Sequence, residues 1–175
     1  LKNIRINGEL RGTNGFISNN SGNTTISDSN GYYTFTSLAD STYIITPSLS
    51  GYSFSPTNRS VKVPPNAVNQ DFSAAINCLA GQVVDTSSRP IPNVTVSISG
   101  TSTYTVYTDA NGYYSAVGIY TNCGGVANGS YTITPSKRVG SQNYTFYKPS
   151  ETVNIPPGRK DINFVGSIPS GGPAG

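Results

Sequence analysis

The stretch Asp28-Ser-Asn-Gly-Tyr-Tyr33 recurs as Asp109-Ala-Asn-Gly-Tyr-Tyr114, and this repetition is the strongest indication of the fold. Asn-Gly is a strong hairpin signal, because both residues tolerate the positive φ that a tight turn between strands requires. The two tyrosines that follow each turn belong to a residue type enriched in strands. Each copy therefore predicts a turn that leads into a β-strand.

Further matched segments extend the repeat in the same order. Residues 43–48 match 131–136, residues 51–54 match 143–146, residues 61–65 match 153–157, and Phe72 matches Phe164. Within them apolar residues alternate with hydroxyl-bearing ones, which is typical of strands with one buried face. Paired prolines close the third segment, and proline ends strands or marks sheet edges. The sequence predicts two all-β sandwich domains, residues 1–75 and 76–166, and a Gly/Pro-rich tail, residues 167–175.

The composition argues against several classes of function. Only 11% of residues are charged, and the net charge of +3 comes from scattered Lys and Arg, so we expect no nucleic-acid partner. No apolar run is long enough to span a membrane. The chain has no His, which removes the usual general base and the commonest zinc ligand. We therefore expect no enzyme activity, no metal and no cofactor.

The second copy resembles a known family. The stretches Ala80-Gly-Gln-Val-Val-Asp85, Pro90-Ile-Pro-Asn-Val-Thr-Val96, Asp109-Ala-Asn-Gly-Tyr-Tyr114 and Tyr131-Thr-Ile-Thr-Pro135 are similar to carboxypeptidase regulatory-like domains. These are relatives of the Cna protein B-type and transthyretin-like sandwiches. The resemblance covers most of residues 76–165 and, less completely, 1–75. It implies an Ig-like module of secreted and surface proteins, usually non-catalytic, so we expect an extracellular protein whose export signal has been removed.

The first copy departs from this pattern. Aligning Asn3-Ile-Arg-Ile6 with Asn93-Val-Thr-Val96 leaves no counterpart for residues 76–92, so we expect the first domain to lack its opening strand. A missing strand would expose an unpaired sheet edge and a strip of core. The tail lies where the opening strand of a following domain would begin.

The tail of one subunit could therefore fill the gap in the next by strand addition. Such a head-to-tail contact propagates as a filament of identical subunits. The candidate contact residues are Ile4, Ile6, Ile162, Phe164 and Ile168. Prolines and glycines make the tail a poor strand, so the donor could instead be residues 162–168 or another segment. The alternative is that the chain was trimmed from a longer protein.

Cys78 and Cys123 are the only cysteines, and both belong to the second copy. In a chain that resembles secreted proteins, a disulfide is the favoured interpretation. It would tether the long insertion at residues 120–128 to the opening strand. A catalytic thiol is disfavoured without His, and two free thiols remain the alternative.

Three weaker signals concern ligands. The turns at Asp28 and Asp109 resemble half of a calcium loop, but the distal Glu is missing, and an Asp that caps its own turn is favoured. Among the Asn-x-Ser/Thr sites, the most loop-like glycosylation candidates are Asn19, Asn23 and Asn128. The candidates for carbohydrate stacking, against packing at the core or sheet edge, are Tyr32, Tyr104, Tyr107 and Tyr120.

Two hypotheses of function follow. The first is a structural subunit of an extracellular, pilus-like filament, whose partners are copies of itself and which is joined by β-strand complementation. The alternative is a carbohydrate-binding or spacer module of a larger secreted enzyme or adhesin, with surface glycans as partners.

Overall fold

The structure is a computed structural model that describes residues 4–168, and these residues form strands, turns and loops without a helix. The predicted all-β class is confirmed. The chain divides into two compact units, Leu1–Ala75 and Ile76–Gly175, called the first and second unit below. Since the described residues contain no helix, none of them forms a helical membrane span.

The first unit contains two four-stranded sheets. Its strands are β1 (Ile6–Arg11), β2 (Phe16–Asn19), β3 (Thr24–Ile26), β4 (Tyr32–Phe35), β5 (Ser41–Ser48), β6 (Tyr52–Ser55), β7 (Arg59–Val63) and β8 (Phe72–Ile76). One sheet has the order β4-β1-β8-β6 and the other β3-β2-β5-β7. Side chains alternate between buried and exposed along β5, as the sequence pattern predicts. Residues from both sheets share one core cluster, so the unit is a β-sandwich.

The second unit repeats this arrangement with additions. Its strands are β9 (Ala80–Val84), β10 (Thr95–Gly100), β11 (Tyr104–Tyr107), β12 (Tyr113–Ser115), β13 (Gly118–Ile119), β14 (Asn122–Cys123), β15 (Gly129–Ser136), β16 (Arg138–Val139), β17 (Gln142–Asn143), β18 (Thr145–Phe146), β19 (Glu151–Ile155) and β20 (Phe164–Ser167). The two sheets have the orders β12-β9-β20-β18 and β11-β10-β15-β19. The additions are two short hairpins, β13-β14 and β16-β17.

The prediction that the first domain lacks its opening strand is wrong. Strand β1 pairs antiparallel with β4 and parallel with β8, as β9 pairs with β12 and β20. Leu10 lies opposite Phe72 where Val83 lies opposite Phe164, and these pairs fix the correspondence. The opening-strand position of the first unit is therefore occupied by residues of its own chain.

Ile4 and Ile6 are not the counterparts of Val94 and Val96, although both pairs show the same apolar alternation. Ile17 is the true counterpart of Val96, because each lies opposite a proline of the next strand, Pro47 or Pro135. Seven positions separate Leu10 from Ile17, whereas thirteen separate Val83 from Val96. The first unit therefore has a shorter connection after its opening strand and retains the strand itself.

One internal hydrogen bond is repeated in both cores. The Tyr43 hydroxyl donates to the carbonyl of Ala39 at 3.3 Å, and the Tyr131 hydroxyl donates to the carbonyl of Ala127 at 2.9 Å. Each tyrosine thus bonds to the backbone four residues upstream, an arrangement familiar from Ig-like sandwiches. It allows a large aromatic ring to be buried with its polar end satisfied.

Candidate functional site

The insertion of the second unit is held by a disulfide, as predicted. Cys78 lies just before β9 and is bonded to Cys123 in β14, with their Cα atoms 5.5 Å apart. The backbone N–H of Val126 donates to the carbonyl of Asn77 at 2.8 Å, and the Asn77 side chain donates to Asn128 Oδ1 at 2.7 Å. These bonds fix the insertion beside the start of β9.

The insertion places one aromatic ring on another. Tyr113 points outward from edge strand β12, because its neighbour Tyr114 points into the core. The Tyr120 ring stacks on Tyr113 with centroids 4.3 Å apart and planes at 28°. The Lys160 ammonium lies 5.9 Å from the Tyr120 centroid, and the Tyr120 hydroxyl donates to the Lys160 carbonyl at 3.3 Å. Tyr120, a predicted stacking residue, therefore stacks within its own unit.

The corresponding tyrosine of the first unit is uncovered. Tyr32 occupies the position of Tyr113, at the start of β4, and lies opposite Glu9 of β1. No insertion follows β4 in the first unit, and Tyr32 is 58% exposed. It forms one wall of a groove of about 560 Å³, which we call the Tyr32 groove. Its other lining residues include Asn7, Glu9, Arg11, Val68 and Asp71.

Charged side chains line the floor of the Tyr32 groove. Arg11 Nη2 donates to Asp71 Oδ2 at 2.9 Å, and Arg11 Nε lies 3.6 Å from Glu9 Oε2. The hydrogen bond to Asp71, with the nearby Glu9 charge, raises the pKa of Arg11. Asp71 also accepts the backbone N–H of Glu9 at 3.0 Å, so this carboxylate is fixed from two sides. Two carboxylates and one guanidinium leave the floor with a net charge of −1.

The second unit keeps the geometry of this floor without its charges. Gln82 occupies the position of Glu9, and its backbone N–H donates to Asn163 Oδ1 at 2.8 Å, as Glu9 donates to Asp71. Val84 occupies the position of Arg11. The charged floor and the uncovered tyrosine therefore occur together in the first unit.

The aspartates of the two repeated turns bind their own backbone. Asp28 Oδ1 accepts the N–H groups of Asn30 and Tyr32, both at 2.9 Å. Asp109 Oδ1 does the same for the equivalent turn. The sequence pattern favoured this capping of the turn over calcium binding. Within residues 4–168, no group of three or more His, Cys, Asp or Glu residues could hold a metal ion.

One predicted glycosylation site is inaccessible. Asn19 is buried, its Oδ1 accepts the backbone N–H groups of Ser21 and Asn23, and its Nδ2 is enclosed. A glycan attaches to that nitrogen, so the prediction for Asn19 is wrong for the folded unit. Asn23 and Asn128 are exposed and stay predictions.

Most predicted subunit-contact residues are core residues. Ile4 and Ile6 are buried in the first unit, and Ile162 and Phe164 are buried in the second. Packed within their own units, these four cannot supply a contact, and for them the prediction is wrong. Ile168 is exposed, and the tail beyond it lies outside the described residues.

Of the remaining stacking candidates, Tyr104 packs partly against the second core, and Tyr107 is exposed on β11.

The chain is similar to part of a curated chitinase. No family model matches the chain. The chitinase ChiA of Flavobacterium johnsoniae is 31% identical over 149 residues, which cover 83% of this chain and 9% of the chitinase. The chain therefore spans about a tenth of the length of that relative, and the match extends over parts of both units.

Solved structures with similar folds include Gram-positive pilins. A streptococcal ancillary pilin aligns over 95% of this chain and 62% of its own, with a TM-score of 0.48 and 11% identity. The minor pilin GBS52 of Streptococcus agalactiae aligns over 93% of this chain and 94% of its own, with a TM-score of 0.44 and 11% identity.

Proposed function

We propose that this chain is a non-catalytic tandem of β-sandwiches within a larger secreted protein, where it acts as a spacer between other parts. The observation that carries the proposal is the match to the chitinase. It extends over parts of both units, yet it accounts for only 9% of the chitinase. A likeness to a small part of a much longer chain is typical of a module that separates or supports other domains.

The disulfide supports an extracellular location. Structural disulfides persist in oxidising compartments and are rare in the cytosol. The Cys78–Cys123 bond anchors an insertion to an opening strand within one unit, which is a structural role. The low charged fraction of 11% is compatible with a surface built from hydroxyl and amide groups.

The paired opening strand of the first unit argues against the filament hypothesis. Strand complementation needs an acceptor that lacks a strand, and β1 already pairs with both β4 and β8. An inserted strand would have to displace β1, whose inward residues Ile6 and Leu10 are almost fully buried.

The acidic residues of the first unit also favour a non-catalytic role. A glycosidase needs two carboxyl groups that flank a sugar bond, one of which can carry a proton. Glu9 and Asp71 both lie against Arg11, and the Asp71 carboxylate accepts one further hydrogen bond, from the backbone N–H of Glu9. Because both carboxylates contact the same guanidinium, they lie side by side on the floor of the Tyr32 groove instead of on opposite sides of a bound sugar.

The test is to place a folded carrier domain at both ends of the chain. A spacer folds with chain continuing on both sides, so we expect both units to keep their thermal midpoints and the fusion to stay monomeric. The unfused chain should also be monomeric by light scattering over a wide concentration range, and it should not hydrolyse chitin oligosaccharides. Filaments seen by negative-stain electron microscopy, or hydrolysis by the pure chain, would contradict the proposal.

A further inference from the structure

We propose that the Tyr32 groove of the first unit binds a neutral carbohydrate. This goes beyond the spacer function and does not depend on it, since a spacer needs no ligand. The starting observation is the difference between two equivalent tyrosines. Tyr113 is covered by Tyr120 of its own unit, whereas Tyr32 is 58% exposed on the same face of the same sheet.

The second unit shows what this face can accept. The Tyr120 ring stacks on Tyr113 with centroids 4.3 Å apart and planes at 28°, so the geometry at this position admits a ring stacked on the tyrosine. The first unit presents the same surface without a ring of its own. A sugar ring is flat enough to stack through its C–H face, which buries apolar area on an aromatic side chain.

The remainder of the Tyr32 groove favours a sugar over an aromatic side chain. Asn7, Glu9, Arg11 and Asp71 supply hydrogen-bond donors and acceptors along its floor, and the apolar lining includes only Tyr32, part of Tyr33 and Val68. A bound aromatic side chain would cover the carboxylates without offering them donors, which costs free energy. Sugar hydroxyls both donate and accept, so they can satisfy this floor while one ring face stacks. The groove volume of about 560 Å³ lies within the range of small-molecule sites.

The charge of the floor selects among carbohydrates. Glu9 and Asp71 outnumber Arg11, and the guanidinium is already engaged by both carboxylates. The lining residues carry a net charge of −1, which opposes an acidic sugar, and the one cation among them, Arg11, is already paired. Neutral sugars, with or without acetamido groups, carry no such penalty.

The test is an NMR titration of the whole chain with cellohexaose, chitohexaose and an oligogalacturonate. We expect at least one neutral oligosaccharide to shift amide resonances around Tyr32, Glu9 and Asp71, and the acidic one to have no effect. Tyr32→Ala should weaken binding about tenfold, because the stacking face is lost. Tyr32→Phe should retain the affinity within about twofold, since the ring remains.

Two matched variants control this test. Glu9→Gln places at this position the residue that the second unit carries there, Gln82, so the fold should tolerate it while the affinity falls. Tyr107→Ala removes a tyrosine that is 64% exposed but lies in the second unit, and it should leave binding unchanged. Amide spectra of each variant establish that both units remain folded.

The proposal is overturned if no neutral oligosaccharide binds at millimolar concentration, or if Tyr107→Ala weakens binding as much as Tyr32→Ala. A Lys-Tyr dipeptide amide, which carries the chemistry of Lys160 and Tyr120, serves as the competing probe. If it binds beside Tyr32 and the sugars do not, the Tyr32 groove is a protein contact and the carbohydrate proposal is wrong.

Discussion

Removing the disulfide should destabilise the second unit selectively. Cys78 and Cys123 are 45 positions apart, and the chain-entropy relation for a closed loop of that length gives about 4 kcal/mol. A small domain has a total stability of only about 5–15 kcal/mol, so this is a large share. The first unit contains no cysteine and is an internal control in the same molecule. The variant is Cys78→Ala with Cys123→Ala.

The assay is urea unfolding followed by amide resonances that belong to each unit. With a slope of about 2 kcal/mol per molar urea, the second unit should lose roughly 2 M from its midpoint, while the first unit keeps its own. Reducing the unsubstituted chain should have the same effect. A shift below about 0.5 M, or equal shifts in both units, would refute the reasoning, because the bond would then not constrain the second unit alone.

Three further predictions concern the cores. Gly8→Ala would bring a Cβ into the backbone carbonyl of Gln70, so we expect the first unit to lose about 1–3 kcal/mol in urea unfolding; no change would mean that the Gln70 backbone does not restrict the space at Gly8. Tyr131→Phe removes a hydrogen bond in the second core and should cost it about 1 kcal/mol, measured the same way, with an unaltered first unit as the control. Burial raises the pKa of Tyr33 and Tyr114 above the ordinary value of 10.0, so folding keeps their protons bound. Stability should therefore be full below about pH 10 and fall as the pH rises further; a constant thermal midpoint up to about pH 12 would contradict this.

Local signals in the sequence were sufficient for the turns and most strands. The spacing of Asp28 and Asp109 before Asn-Gly predicted two turns whose aspartates bind their own backbone, and the structure has those bonds. Turn chemistry is decided within a few residues, so it can be read without knowledge of the fold. The all-β class follows from the same short-range patterns, and the disulfide was favoured because Cys78 and Cys123 are the only cysteines in a chain that resembles secreted proteins.

The opening strand of the first unit could not be found from apolar alternation alone. Ile4-Arg-Ile6 and Val94-Thr-Val96 show the same pattern, and a period of two does not tell one strand from another. A better signal was the glycine inside the strand. A Cβ at Gly8 would meet Gln70, and a Cβ at Gly81 would meet Ile162, so both opening strands need glycine where another chain segment approaches. Matching these glycines aligns the two strands correctly.

The stacked pair in the second unit also required the structure. Tyr113 and Tyr120 are brought together by a hairpin whose position depends on a bond to Cys78, and no local pattern encodes that contact. The stacked pair marks a difference between the two units. In the second unit the insertion covers the outer tyrosine, and the floor beside it carries Gln82 and Val84 in place of Glu9 and Arg11. Charged side chains beneath a covered surface would lose hydration, which costs free energy. The first unit keeps both the exposed ring and the charges, so the difference that matters between the two copies is an open groove in one and a closed face in the other.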